Sequence, residues 1–564
     1  MGTYLNPGTR AYRMAVDSEV FVDKSAMIGR LNPLVNTSQR FVSVSRPRRF
    51  GKTMAADMLC AYYSRGEGGR DLFCNLELAR REAERTDKGG VPWDAYLGSF
   101  DVVRVVMTDF FKEGVAVGQS LERMQRLVVR DIRLAHPEVD FFDEGDLAQS
   151  MADAYAYGCG QFVVVIDEWD AVFRTGGLGD DDQRKYLDFL RDWLKDKPYV
   201  ALAYMTGILP IKKYGRHSAL NMFDEYSMLQ PMMLAEFAGF TDSEVRLLCD
   251  EYEMEYGDVS DWYDGYVLSD YLPVGKRRLF RMGGYQEHKV HVYSPLSVVK
   301  AMRNGSVDNY WNKTETYEAL AGYIRMDYDG LKDAVALLMD GGRLRVDFAG
   351  YQNDMHTFGG RDDVLALLVH LGYLGFEGDE TARGIDSEHG EVFIPNKEIR
   401  EEFETSTRSR EWAGVFREFE VSKELLRATW ALDERRVASL LEAAHDCVAN
   451  KTYNDEAALS YAIQLAYYAA QKYYTTILEL DTGKGYADIV YLPSPKSPDV
   501  PALLVELKYA QDADTALQQI KRREYPARLE HYKGKLLLVG ISYDRDARNT
   551  SAGFKRHVCK IETA

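Results

Sequence analysis

Four short runs in the first third of the chain restrict its fold more than any other feature. They are FVSVS (41–45), DVVRVVM (101–107), QFVVVID (161–167) and YVALAYMTG (199–207). Each is rich in valine or other strand formers, and long stretches with helical periodicity separate them. Such continuously apolar runs suit strands of a parallel sheet that helices cover on both faces. The expected fold class is α/β and multidomain, because 564 residues exceed what one core organises. The pattern then changes twice. From about 236 to 430 it is mixed. There GFTDSEVRLLCDEY reads as a helix capped by Thr241 or Asp242, and GGRLRVDF and DVLALLVHLGYLGF read as a strand followed by a helix. From about 431 two helical segments precede the strand runs YTTILELD, GYADIVYL, PALLVELKYA and KLLLVGISY, with the helix TALQQIKRREYPARLE among them. The expected domains are 1–235, 236–430 and 431–564.

The first strand runs into Arg46-Pro47-Arg48-Arg49-Phe50-Gly51-Lys52-Thr53 and then into a helical pattern. A Gly-Lys-Thr between strand and helix is the end of a phosphate-binding loop. Backbone N–H groups and the helix dipole receive phosphate, the lysine reaches the outer phosphates, and the threonine hydroxyl ligates Mg²⁺. Arg46 stands where the usual loop has its first glycine, so this segment alone fits a basic turn equally well. The second half of the site, an acidic strand end, weights the reading toward nucleotide. QFVVVIDEWDAVF places Asp167 at a strand terminus, to hold the Mg²⁺ shell, and Glu168 after it, to orient an attacking water. Thr206, in YMTGILP, is a candidate contact to the terminal phosphate.

A second chemistry lies near the C-terminus. GYADIVYL carries Asp488, and PALLVELKYA carries Glu506 and Lys508 two apart, hence on one strand face. Hairpin pairing would bring all three together. Two carboxylates and a lysine suit Mg²⁺-dependent phosphodiester hydrolysis, and a plain Glu–Lys pair closing a sheet is the bland alternative. From Thr515 to Lys560 there are 11 Lys/Arg against 4 Asp/Glu, in a chain whose formal net charge is −18. A local basic groove for nucleic acid is expected there, including Lys521, Arg522 and Arg523.

These blocks together resemble a known family. FVDKSAMIGRL, RPRRFGKT, VIDEWDAVF and TGILPIKK, followed by WYDGY, VYSPLSV and YWNKT, look like the AAA-ATPase-like bacterial proteins that end in a PD-(D/E)XK nuclease-like domain. The resemblance covers most of the chain. It implies ATP and Mg²⁺ as cofactors, with Lys52, Thr53 and Asp167 around the nucleotide, Arg49, Phe50 and Gly51 beside them in the same loop, and Glu168 catalytic. It implies a P-loop AAA-like parallel-sheet domain, a helical lid or winged-helix-like middle, and a C-terminal restriction-endonuclease-like core. In that core Asp488, Glu506 and Lys508 are the catalytic set. Glu456 resembles the family's helix-borne acidic metal ligand, and Gln519 and Tyr525 match its helix pattern. Asp23 and Lys24 match a motif without an evident role. Arg216 and His217 are weaker candidates for a phosphate contact.

The function expected is nucleotide-controlled, Mg²⁺-dependent cleavage of DNA. RNA stays open, since an E-x-K site does not distinguish the two. A nucleotide-gated binding or signalling module with an inactive nuclease fold is the alternative. The six cysteines form no C-x-x-C pair, no apolar run is long enough to span a bilayer, and the first twenty residues lack an apolar signal core. A reducing, cytoplasmic chain without disulfides, zinc or membrane contact is expected, with homo-oligomerisation open. His288 and His291 lie close together but read as turn and strand without a third ligand.

Overall fold

The structure, a computed structural model, describes residues 2–66, 68–83, 91–211, 220–237, 239–273, 285–311, 317–326, 328, 330–353, 355, 357–381, 384–447, 459–460, 463, 466–481, 486–494, 497–509, 512–522, 529, 532, 534–544 and 557–564. The chain forms two compact units. One is Met1–Tyr323 with Arg345–Glu402, the other Ile324–Leu344 with Phe403–Ala564. The stretch 236–430 contributes to both.

The four valine-rich runs are four parallel strands of the first unit. They are β1 (Phe41–Ser45), β2 (Asp101–Val106), β3 (Phe162–Asp167) and β4 (Val200–Gly207). With β5 (Asp224–Tyr226) they form one parallel sheet in the order β2-β3-β4-β1-β5. Every residue of β1, β3 and β4 is buried, which is why their sequences lack alternation. The helix Lys52–Tyr63 lies on one face. Its Leu59, Tyr62 and Tyr63 share a core with Val42, Val44, Val163, Val165, Leu202 and Tyr204. The strand order has a functional consequence. Because β4 is inserted between β1 and β3, Thr206 pairs in register with Val44, and Met205 with Ile166. The phosphate-loop candidate, Thr206 and Asp167 therefore leave the same sheet edge from adjacent strands.

Two smaller sheets follow. β6 (Phe240–Thr241), β7 (Tyr266–Pro273) and β8 (Tyr285–Tyr293) pair antiparallel in the order β6-β8-β7. Helices Asp242–Glu251, Tyr256–Tyr263 and Pro295–Asn304 pack with them around Val245, Leu248, Val259, Tyr263, Tyr293 and Val298. Thr241 is the N-cap of the first helix, in a full capping box with Glu244, as its sequence predicts. β9 (Leu344–Asp347), the helix Arg361–Leu371 and the hairpin β10 (Gly375–Thr381) and β11 (Gly384–Phe393) follow as a strand, a helix and a wing. Their sheet order is β10-β11-β9.

The second unit holds a mixed sheet in chain order: β12 (Tyr474–Asp481), β13 (Tyr486–Pro493), β14 (Ala502–Tyr509), β15 (Leu536–Tyr543) and β16 (His557–Thr563). Only β14 and β15 run parallel, and the helix Ala513–Arg522 connects them. Alternation sorts the side chains. Leu503, Val505, Leu507, Val539 and Ile541 face a core with Leu425, Leu426, Val437 and Leu441 from two long helices. Val490, Leu504 and Leu538 face Leu517 and Ile520 of the connecting helix. No helix among the described residues is long and apolar enough to cross a membrane.

Candidate functional site

The first site is built at the C-terminal edge of the parallel sheet. After β1 the chain turns through Arg49 and Gly51, both in the left-handed region at φ 70° and 81°, and Gly51 caps the helix Lys52–Tyr63. Added atoms at Gly51 would meet open space, so the glycine serves the backbone conformation. The loop's free N–H groups and a twelve-residue helix dipole make this an anion-binding terminus. Lys52 is buried, and its Nζ donates to the Pro47 carbonyl at 2.8 Å. Burial pushes its pKa down, while Glu168, Asp170 and Asp167 pull it back up.

Asp167 ends β3, almost fully buried. Burial pushes its pKa up, and a hydrogen bond from the Thr53 hydroxyl opposes that. Its Oδ2 has no hydrogen-bond partner, and neither has the buried hydroxyl of Thr206 on the adjacent strand. Arg104 of β2 stands 4.0 Å from that oxygen and is held at 2.7 Å by Asp57. Glu168 follows at φ 53°, strained for a non-glycine residue, and is ion-paired to Arg174. Asp170 is buried. It accepts from the backbone N–H groups of Ile208 and Leu209 at 3.0 and 2.9 Å, and so ties the exit of β3 to that of β4. Gly207 is required there, because a Cβ would lie 2.6 Å from Trp169.

A cavity of about 570 Å³ opens beside the loop. Its polar wall includes Arg48, Lys52, Thr53, Glu168 and Arg174, and its apolar wall Val20, Phe240, Pro295, Leu296 and Val299. The blocks after the parallel sheet therefore have a place. VYSPLSV supplies Pro295 and Leu296 of the apolar wall. In YWNKT, the Trp311 carbonyl accepts from Arg49 at 2.8 Å. In WYDGY, Tyr266 packs edge-on against Phe50 with ring centroids 5.3 Å apart. Phe50 is thus a buried anchor of the loop. Arg46 is wholly buried, donates to the carbonyls of Ser45 and Tyr226 at 2.8 and 2.7 Å, and is pushed down to about 10 by burial. The first-glycine position therefore ties β1 to β5. Asp23 and Lys24 also have structural contacts. Asp23 accepts from the backbone of Ser25 and Glu77, and Lys24 reaches Glu244 at 2.6 Å.

The second site forms in the other unit. The register that pairs Ile489 with Val505 brings Asp488 opposite Glu506. Asp488 Oδ2 accepts from the backbone N–H of Leu507 at 2.7 Å, which pins the carboxylate at the end of the hairpin. Lys508 Nζ donates to Glu506 Oε1 at 3.3 Å, and Gln519 Nε2 of the connecting helix donates to the same oxygen. Glu506 is 1% exposed and Lys508 9%, so the pair is largely desolvated. The helix reaches this close because its partner strand has Gly540 opposite Glu506. A Cβ there would meet the Ala513 carbonyl at 2.8 Å.

The structure thus brings together Lys52, Thr53, Asp167, Glu168 and Thr206 in one site, and Asp488, Glu506, Lys508 and Gln519 in another. Lys521 is exposed and pairs with Glu562 at 2.5 Å. The candidates Glu456, Arg523 and Tyr525, the Arg522 side chain, Arg216 and His217 lie outside the described residues. So does the side chain of His288, while His291 faces Asp264 at 3.2 Å. Sequence reasoning missed Arg104, Asp170, Arg174 and Gly540. Only Asp170 carried a local signal, as the third acidic residue after the β3 run.

Residues 8–216 match the AAA-ATPase-like family, described as a predicted AAA-ATPase, and residues 458–552 match the PD-(D/E)XK nuclease superfamily. An uncharacterized protein from the vnfD 5′ region of Azotobacter chroococcum mcd 1 is 23% identical over 553 residues, 94% of either chain. Among solved structures, the Walker-type ATPase PABY2304 of Pyrococcus abyssi is similar at TM-score 0.31 and 12% identity, over 68% of this chain and 94% of that one. The Aeropyrum pernix ORC1 protein, solved with DNA, is similar at TM-score 0.24 and 12% identity, over 73% and 99%.

Proposed function

We propose that this chain, which joins an AAA-ATPase-like domain to a PD-(D/E)XK nuclease superfamily domain, uses ATP to control Mg²⁺-dependent cleavage of DNA. The observation that carries the reading is the convergence of Asp488, Glu506, Lys508 and Gln519 at one point of a nuclease-type sheet. A Glu-x-Lys pair opposite an aspartate, clamped by a glutamine from the next helix, is more than closing a sheet requires.

At the first site the buried Asp167 Oδ2, which has no hydrogen-bond partner and lies 4.0 Å from Arg104, and the buried Thr206 hydroxyl fit a Mg²⁺–triphosphate. Thr53 and Asp167 would hold the ion. Lys52 and the loop N–H groups would take the phosphates, and Val20, Phe240 and Pro295 would receive the base. Glu168, released from Arg174, would orient the attacking water, while Arg174 meets the terminal phosphate. At the second site two carboxylates opposite each other on adjacent strands fit a divalent ion, so Asp488 and Glu506 would hold Mg²⁺, joined by Glu456. Bound Mg²⁺ would supply an activated water and neutralise developing charge. Lys508 would orient that water, and Gln519 would keep Glu506 in place. Lys521, Arg522, Arg523 and Tyr525 would grip the backbone and bases.

A second reading has its own support. Glu506 is already engaged by Lys508 and Gln519, which also suits an inert cluster in a nucleotide-gated binding module. Incubation of the purified protein with labelled DNA or RNA, Mg²⁺ and ATP separates the two. Cutting that Glu506→Ala loses by at least about 10²-fold supports the nuclease. Retention of DNA in a gel shift without cutting by either protein supports the binding module. Cutting of RNA alone moves the substrate class.

A further inference from the structure

Three ligand-type side chains meet at the other edge of the parallel sheet, where β2 and β3 begin with Asp101 opposite Phe162. His136 caps the C-terminus of the helix Val117–Ala135, and Glu138 follows in the next turn. Cys159 comes just after the helix Leu147–Tyr157. His136 Nδ1 is 3.6 Å from Glu138 Oε1, and Cys159 Sγ is 4.0 Å from the same oxygen. One ligand atom from each residue lies within 4.8 Å of the other two. Ligands bound at about 2.0–2.3 Å around a tetrahedral ion sit roughly 3.3–3.8 Å from one another. The side chains already stand near the spacing that one ion requires.

The surroundings point the same way. His136 is buried, and its Nε2 lies 2.9 Å from the buried Asp101 carboxylate. A proton on Nε2, donated to Asp101, leaves the Nδ1 lone pair aimed at Glu138 and Cys159. Metal-binding histidines are oriented in this way, by a carboxylate on the other ring nitrogen. Arg65 braces the corner through Asp101 at 3.6 Å and the Cys159 carbonyl at 2.7 Å.

We propose that His136, Glu138 and Cys159 form a zinc site, with Asp101 orienting the imidazole and water at the fourth position. One imidazole nitrogen, one thiolate and one carboxylate suit Zn²⁺ and are a poor set for Mg²⁺. On binding, the Cys159 S–H bond breaks, its proton passes to solvent, and the thiolate forms the metal bond, one proton for each ion. The ion would fasten the ends of two helices at the sheet edge away from the nucleotide loop. The sequence expectation of no zinc rested on cysteine spacing, and a set with a single cysteine escapes that criterion.

The test equilibrates the full chain with Zn²⁺ in excess Mg²⁺, removes loose ions, and counts zinc in wild type, Cys159→Ser and Glu138→Gln. Cys74→Ser, at an exposed cysteine elsewhere, is the control. Taking the difference from Cys159→Ser cancels zinc held by other carboxylates. Co²⁺ titration then reads thiolate ligation through its charge-transfer absorption. The expected result is one zinc per chain more in wild type and Cys74→Ser than in Cys159→Ser. A cobalt–thiolate band should be lost only in Cys159→Ser, and affinity should fall about tenfold or more in Glu138→Gln. Equal zinc in wild type and Cys159→Ser, or no thiolate band in wild type, overturns the proposal.

Discussion

Glu398 is the buried carboxylate on which the loop's surroundings depend. It accepts from the backbone N–H groups of Tyr310 and Trp311 at 2.8 and 2.9 Å and from the Ser297 hydroxyl at 2.9 Å. The Trp311 carbonyl, in turn, takes the loop's Arg49. Burial raises Glu398 from 4.5 to about 7, against those donors. Between these values the folded protein keeps a proton that the unfolded chain has lost. Its stabilising contribution is complete below pH 4.5, declines as pH rises to about 7, and is level above that. Glu398→Gln keeps the acceptor and removes the titration. It should exceed wild type in stability at pH 8 by up to ~3 kcal/mol, with a much smaller difference at pH 5. Denaturant unfolding at both values checks this, and an unchanged difference between them contradicts it. Sequence made Lys52 legible through its Gly-Lys-Thr, and Asp167, Glu506 and Lys508 because each is a charge that closes an apolar run. Glu398 has no such signal, since its partners lie 87 to 101 positions away.

At the scale of elements, burial on both faces made β1, β3 and β4 readable as short, continuously apolar runs, told from buried helix by their length and strand-forming residues. β5 is three residues with one buried, too short for a pattern. The helix Ala513–Arg522 was legible as an amphipathic segment, but its seat was not, because Gly540 lies on a later strand. That seat has a measurable consequence. In Gly540→Val the side chain would collide with the Ala513 carbonyl and with Ala516 Cβ at 3.2 Å, and the helix would shift. A loss of about 1–3 kcal/mol is expected. Any nucleic-acid cleavage should fall as Gln519 leaves Glu506, with nucleotide affinity unchanged. Thermal melting, cleavage and nucleotide titration report the three effects separately. Full cleavage in a protein that melts early would detach Gln519 from the chemistry.

Across the whole molecule, the chain order of the two chemistries was plain, and the partition into units was not. Residues 324–344 belong with the C-terminal unit, where Asp340 is held by Lys423 at 2.7 Å and Lys472 at 2.9 Å. Nothing local announces such a pairing across 83 and 132 positions. Charge is partitioned as well. A chain of net charge −18 carries its basic surplus in the region that follows Glu506. The central claim is that nucleotide at Lys52 governs chemistry at Glu506. The most direct measurement is the initial rate of DNA cleavage in Mg²⁺ as ATP is raised, for wild type, Lys52→Ala and Glu168→Gln, with Glu506→Ala as the blank. The account predicts a rate that depends on ATP in wild type and is flat in Lys52→Ala. Glu168→Gln is expected to bind ATP without turning it over, so its rate should be fixed at the ATP-bound level. Cutting by wild type and Lys52→Ala that is equal at every ATP concentration would contradict it.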